Sequence, residues 1–163
     1  MTKLTKLNYY KTLFDIVWTK FSSYDPLVTN LSKRYNINPK ILKSIIVIEY
    51  INRGNSIYSI LETFLAYFAP TIIITSDMSI GLCQIKLSRA KSVCKNISNN
   101  LLIKFLMSPA INIHFCARII AKISQQSIEK IVLSYTTGST ITTSNNIILN
   151  YYIALCNYGL THK

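Results

Sequence analysis

One strongly apolar helix constrains the fold of this chain more than any other feature of its sequence. Asn38-Pro39 predicts a helix start, because Asn caps the first turn and Pro fits the first helical position, where its missing N–H costs nothing. Apolar side chains then cover nearly the whole circumference over residues 39–52, and Arg53-Gly54 ends the run with a suitable glycine. A helix that is apolar on all sides belongs inside a domain, so the other elements must pack around it.

The rest of the chain is typical of further helices around this one. Its 163 residues are 50% hydrophobic and only 15% charged, which excludes an intrinsically disordered chain and allows one substantial core. We predict a single all-α domain over residues 1–163, with an N-terminal helix in 1–24, a core in 25–158 and a short β element near 72–76. The remaining helices are predicted at 25–36, 57–67, 86–94, 99–107, 110–124, 126–135 and 147–158, with loops at 75–81 and 136–146.

The balance of charge is strongly basic. The chain has 18 Lys and Arg residues against 6 Asp and Glu, which gives a net charge of +12, and residues 78–128 contain no acid at all. Such a protein attracts polyanions, among them nucleic acids, anionic membranes and anionic cell-wall polymers. Charge alone does not choose among these partners, and a general bias of the sequence toward Ile, Asn and Lys explains it equally well.

Several kinds of site and segment have no signature in this sequence. It contains no HExxH motif and no paired Cys/His spacing, so we expect neither a metal nor another cofactor. The four cysteines include no CxxC pair, which favours buried free thiols and leaves two disulfides as the alternative. The apolar runs 41–51 and 64–74 are shorter than the roughly 20 residues that span a bilayer. We expect no secretory signal peptide, so an extracytoplasmic site of action would need another route of delivery.

Glu49 is the acid that stands out, because it lies near the end of the most apolar helix. Its neighbours one turn earlier are Ile45 and Ile46. A carboxyl in that setting loses hydration, which raises its pKa and allows it to act as a proton donor near neutral pH. The alternative is an ion pair with Arg53, four residues further on. Periodicity alone leaves both interpretations open and favours the ion pair.

Several segments resemble a known family. Residues 77–85 (DMSIGLCQI) are similar to the S-x-G-L-M-Q-I motif of lysozyme-like lytic transglycosylases and goose-type lysozymes. In that family a buried helix ending in the catalytic Glu precedes the motif, and Leu42–Glu49 (LKSIIVIE) resembles it. The downstream matches are Ala90, residues 109–113 (PAINI), which resemble P-x-x-N-I, and residues 134–138 (SYTTG), which resemble the A-Y-N-x-G turn. The blocks occur in the expected order over most of the chain, from residue 27 to 158.

The resemblance implies a lysozyme-like fold and an enzyme that cleaves peptidoglycan glycan strands. The bond would be the β-1,4 link between N-acetylmuramic acid and N-acetylglucosamine, and Glu49 would be the general acid and base. A hydrolase needs a second carboxylate to orient water. Asp77 and Glu62 are the candidates, and a turn or helix-cap role is the favoured alternative for Asp77. A lytic transglycosylase needs no second acid, because the muramic 6-hydroxyl closes a 1,6-anhydro ring, and we favour this outcome.

Four more residues are assigned to the substrate side of the site by resemblance. Ser79 and Gln84 would contact the sugar or the cleft floor, Gly81 would allow close backbone approach, and Tyr135 would hydrogen-bond near Glu49 and orient it. The ordinary alternatives are a surface amide for Gln84 and a core aromatic for Tyr135. No metal is expected, and the protein is expected to act as a monomer.

The sequence also departs from the family pattern. Ser79 lies thirty positions after Glu49, more than is usual, so segment 57–74 must form a helix or lid beside the cleft. Cys83 stands where Met is usual, and Thr136 replaces Asn in the tyrosine turn. A non-catalytic basic protein on a degenerate lysozyme-like scaffold is therefore the alternative, binding nucleic acid or an anionic surface. Its eleven tyrosines interleaved with lysines could stack bases, although no RRM, helix-turn-helix or zinc-finger signature is present.

Overall fold

The computed structural model of the protein describes residues 3–54, 56–137 and 147–163. These residues are mostly helical, which confirms the all-α class with a short β element. The elements in chain order are α1 (Lys3–Lys20), a 3₁₀ helix (Ser22–Tyr24), α2 (Asp25–Tyr35), α3 (Pro39–Arg53), α4 (Ser56–Phe68), α5 (Pro70–Ser76), β1 (Ser79–Ile80), β2 (Ile85–Lys86), α6 (Leu87–Val93), α7 (Asn99–Met107), α8 (Pro109–Ala121), α9 (Ile128–Thr137) and α10 (Ile147–His162). The predicted loop 136–146 lies outside the described residues beyond Thr137.

The apolar helix predicted from the sequence is α3, and it is the centre of the fold. Asn38 caps it, since its side-chain oxygen accepts a hydrogen bond of 2.9 Å from the Lys40 amide. Gly54 ends it at a φ of +71°, a left-handed conformation that favours glycine. Every side chain of Leu42–Glu49 is buried, because α1, α2, α8 and α10 pack around the helix.

The β element lies further along the chain than predicted. Residues 72–76, expected to be near it, belong to α5, because Pro70 occupies the first turn of a new helix and Ile73 packs into the core. The strands are instead β1 and β2, an antiparallel hairpin in which Ile80 pairs with Ile85. The predicted loop 75–81 therefore contains the end of α5 and the first strand.

The core also begins earlier than residue 25. Phe14 and Val17 of α1 are buried, and the Phe14 ring stacks against Trp18 at a centroid distance of 5.5 Å. The helix predicted in residues 1–24 is thus part of the core and packs against α3 and α10. The sequence did not indicate this because α1 has no clear separation of apolar and polar faces.

Asn112, at the start of α8, ties the β-hairpin to the helices. Its side-chain amide donates to the carbonyl oxygens of Leu106 (2.8 Å) and Ile80 (3.2 Å), and its oxygen accepts from the Cys83 amide (2.7 Å). Gly81, at a φ of +77°, lies so close that a Cβ there would be 2.1 Å from the Asn112 side chain. Glycine is therefore required at position 81 because the backbone there packs closely against Asn112 in the helical core.

No single helix in the described part of the chain is long and apolar enough to cross a membrane. Two bent pairs of helices meet the length and composition criteria when each pair is taken together. They are residues 57–68 with 70–76, bent by 106°, and Asn99–Met107 with Pro109–Ala121, bent by 107°. All four cysteines are free thiols, of which Cys83, Cys116 and Cys156 are buried and Cys94 is half-buried.

Candidate active site

A cleft of about 570 Å³ opens where the end of α3, the β-hairpin, α6, α9 and α10 meet. Five of the six residues predicted for the site line it, and they come from segments separated by up to 86 positions in the sequence. They are Glu49, Asp77, Ser79, Gln84 and Tyr135. The sixth, Gly81, is buried against Asn112. The fold thus brings the separate sequence blocks to one place.

The Glu49 carboxyl lies at the edge of this cleft and is largely excluded from solvent. The residue is only 7% exposed, and burial raises the pKa of Glu49 to about 8. Two weaker influences oppose the burial: a hydrogen bond with the Tyr152 hydroxyl and the positive charge of Arg89. Glu49 is therefore protonated at neutral pH and faces a cavity, as a general acid requires.

The ion pair considered for Glu49 does not form, since Arg53 turns toward another acid. The Arg53 Nη2 atom lies 2.6 Å from the Glu62 Oε2 atom on α4. Glu49 makes no ion pair with any residue that the structure describes. The helical spacing of four residues permitted the Glu49–Arg53 contact, but packing of α4 offered Arg53 a different partner.

Glu62 is the second buried acid near the cleft, and it is fully occupied. Besides the ion pair with Arg53, its carboxylate accepts hydrogen bonds from the Gly81 amide (3.1 Å) and the Gln84 side-chain amide (2.8 Å). Glu62 therefore fastens α4 to the β-hairpin. Glu62 is the only charged residue of the apolar segment 57–76, and this pattern indicates an acid that is buried and needs a partner.

Asp77 occupies the turn that follows α5, at a φ of +47°. Its two carboxylate oxygens accept hydrogen bonds from the Ser88 amide (2.8 Å) and the Ser88 hydroxyl (2.7 Å) in the first turn of α6. Both contacts give hydrogen-bond partners to polar groups in the first turn of α6. The structure therefore shows the turn and helix-cap role that was the alternative for this residue, on the wall of the cleft.

Tyr135 lines the cleft and hydrogen-bonds to the β-hairpin, not to Glu49. Its hydroxyl donates a 2.8 Å hydrogen bond to the Cys83 carbonyl, and the Arg89 guanidinium lies 5.0 Å from its ring centroid. The hydroxyl that bonds Glu49 comes from Tyr152 on α10, which also accepts a hydrogen bond from the Asn52 amide. The hydrogen bond to Glu49 that was expected from the region of Tyr135 is therefore made by Tyr152.

Tyr152 and Arg89 are the functional candidates that sequence reasoning missed. Asn52 lies one turn after Glu49 on α3, so its place beside the carboxyl could be read from helical spacing. Arg89 belongs to the basic stretch after the hairpin, where nothing distinguishes it from its neighbours. Tyr152 stands more than 100 residues from Glu49, and only the packing of α10 against α3 brings the two together.

The lining of the cleft suits a polar, anionic ligand. Lys86 and Arg89 contribute positive charge, Asp77 offsets part of it, and the charge of Arg53 is balanced by Glu62. Amide and hydroxyl groups line the remaining surface. A second depression of about 370 Å³ shares Ser79 and Gln84 with the cleft and extends it to Tyr58 and Leu61 of α4. The two cavities also share Asn52 and Arg53, so they adjoin and together form a groove.

No protein-family model matches this chain, and no curated protein or solved structure matches it either. In the described residues, no group of three or more His, Cys, Asp and Glu side chains could hold a metal ion. The case for a function therefore rests on the geometry of the cleft and on the sequence blocks that resemble the transglycosylases.

Proposed function

We propose that this protein is a lytic transglycosylase that cleaves the β-1,4 bond between N-acetylmuramic acid and N-acetylglucosamine in peptidoglycan. One observation carries the proposal: the buried carboxyl of Glu49, which has a pKa of about 8 and no ion-pair partner among the described residues, faces a cleft lined by basic, amide and hydroxyl groups. The order of the sequence blocks that resemble this family supports the same assignment.

The first step is proton donation. Glu49 gives its proton to the glycosidic oxygen of the leaving sugar, the bond from that oxygen to C1 breaks, and an oxocarbenium-like centre develops. The Glu49 carboxylate left behind is stabilised by the Tyr152 hydroxyl and by the charge of Arg89. These two groups favour the ionised form, so they act once the proton has left.

The second step returns the proton. The muramic 6-hydroxyl attacks C1, the new bond from O6 to C1 closes the 1,6-anhydro ring, and the hydroxyl proton passes to the Glu49 carboxylate. No water enters the product. This outcome is favoured over hydrolysis because the carboxylates of Asp77 and Glu62 are engaged by Ser88 and by Arg53. All four carboxylate oxygens of these two acids already accept a hydrogen bond from the protein.

Recognition of the glycan follows from the same lining. Lys86 provides positive charge for the carboxylates that peptidoglycan carries, and Ser79 and Gln84 provide polar groups for sugar hydroxyls. The extension of the groove to Tyr58 offers an apolar ring on which a further sugar can lie. The site of action would be the cell wall, outside the cytoplasmic membrane.

Mass spectrometry of peptidoglycan digests tests this proposal. We expect wild-type protein to release fragments ending in 1,6-anhydro-muramic acid, and Glu49→Gln to lower the rate by about a thousandfold through loss of the proton donor. Glu129→Gln, which changes an exposed acid on α9, is the matched control and should cleave normally. Reducing ends would assign hydrolysis. Absence of any product from the wild type would reject the enzyme and favour the basic binding protein.

A further inference from the structure

Helix α4 exposes its apolar side instead of burying it. Six large apolar residues recur along one face at spacings of three and four, and each is between 49% and 76% exposed. They are Ile57, Ile60, Leu61, Phe64, Tyr67 and Phe68, which we call the outer face of α4. The only charged residue of the helix, Glu62, is turned inward to Arg53. A surface helix ordinarily has the opposite arrangement, with its polar side in water.

The outer face continues onto neighbouring elements. Beyond the 106° bend after Phe68, Ile72 of α5 is also exposed. Helix α7 packs against α4 and presents Leu101 and Lys104 to solvent. The rings of Phe64 and Phe68 lie 5.1 Å apart, so they form one continuous apolar surface. A contiguous apolar patch of this kind marks a docking site.

Charge indicates what the outer face docks against. Segment 57–76 has no charged side chain apart from the inward Glu62, and α7, which packs against α4, carries the exposed basic Lys104. The whole chain carries a net charge of +12, so two copies repel each other. The same charge attracts an anionic lipid surface, whose interior accepts apolar and aromatic side chains.

We propose that the outer face of α4, with Ile72 and Leu101, binds the surface of an anionic lipid bilayer. Helix α4 has 13 residues and is therefore about 20 Å long, short of the roughly 30 Å of a bilayer core, so it lies along the interface. Phe64 and Phe68 enter the acyl boundary, while Lys104 meets the lipid phosphates. Because Tyr58 and Leu61 also line the extension of the cleft, the groove opens beside the membrane.

Vesicle flotation tests this docking. We expect wild-type protein to float with vesicles of phosphatidylglycerol and phosphatidylcholine in equal amounts, and to stay unbound with phosphatidylcholine alone. Phe64→Gln with Phe68→Gln should weaken binding to the mixed vesicles by about tenfold or more, since the apolar contact is lost. Ile16→Gln, on the exposed side of α1 and 62% exposed in the native chain, is the matched control and should bind as the wild type does.

A second measurement locates the contact and does not depend on a weakened variant. Measured against the native Trp18 fluorescence of the unmodified protein, the tryptophan introduced as Phe64→Trp should add a signal that brominated lipid quenches in the mixed vesicles, and the tryptophan introduced as Ile16→Trp should add one that it does not quench. Equal quenching at the two positions would overturn the proposal. So would unchanged flotation of the double variant, equal binding to neutral vesicles, or a dimer in sedimentation that the double variant disperses without any lipid binding. Glu49→Gln should float normally, which separates this surface from the catalytic proposal.

Discussion

Helices α3 and α4 are both apolar and each carries one buried glutamate, yet the two acids have opposite environments. Glu49 and Glu62 are 7% and 6% exposed, so burial alone does not distinguish them. Glu62 has a cation within 2.6 Å and two further donors, whereas Glu49 has one hydroxyl and a more distant arginine. A buried acid is therefore structural or chemically active according to the partners that the fold supplies.

The largest expected effect tests the structural side of this comparison. Glu62→Gln removes the charge that balances Arg53 in a buried setting, so we expect the free energy of unfolding to fall by about 4 kcal/mol. Urea denaturation at neutral pH measures this change. Glu129→Gln should shift stability by less than about 0.5 kcal/mol, as exposed substitutions usually do. A Glu62→Gln protein as stable as the wild type would contradict the ion-pair role.

The next effect concerns the pH dependence of stability. The pKa of Glu49 in the folded protein, about 8, lies above its ordinary value of 4.5, so the folded state holds more protons between these pH values. The contribution of Glu49 is therefore fully present below about pH 4.5 and is lost as the pH rises toward 8. Relative to Glu49→Gln, the wild type should lose about 4 kcal/mol between pH 5 and pH 9.

Denaturation of both proteins at pH 5 and pH 9 measures this difference. The comparison with Glu49→Gln removes the contributions of all other groups, because the two proteins differ only at this carboxyl. A difference in stability that does not change with pH would show that Glu49 has an ordinary pKa in the folded protein, and the contrast with Glu62 would disappear.

The smallest expected effect concerns Tyr152. Its hydroxyl favours the ionised form of Glu49, so Tyr152→Phe should raise the pKa of Glu49 further and move the alkaline limb of kcat/KM to higher pH by less than about one unit. The pH profile of glycan cleavage measures the shift. Tyr151→Phe, at the neighbouring position on α10, should leave the profile unchanged. A uniform loss of rate with an unmoved profile would indicate a purely structural role.

The sequence predicted those features that depend on local rules. Asn38-Pro39 and Gly54 bounded α3 correctly, because capping and left-handed termination are properties of a few adjacent residues. The apolar circumference of α3 indicated its burial and marked Glu49 as unusual. The all-α class followed from the same periodicity.

Features that depend on long-range packing were predicted less well. Arg53 was within reach of Glu49 by helical spacing, but the position of α4 decided its partner. Ile72–Ile74 favoured extended structure by composition, and the start of a helix at Pro70 prevailed. Tyr152 could not be identified, because its place beside Glu49 depends on how α10 docks across the whole chain.

The contacts of Asn112 have a consequence for how the cleft can move. One side chain holds three backbone groups that belong to the β-hairpin and to the end of α7, so these pieces separate only if all three bonds break together. The hairpin side of the cleft is thereby fastened to the helical interior. Helix α4, on the other side, is joined to the hairpin by the hydrogen bonds that Glu62 accepts from Gly81 and Gln84. Under the proposed function, a long glycan would enter by displacement of α4 from the hairpin.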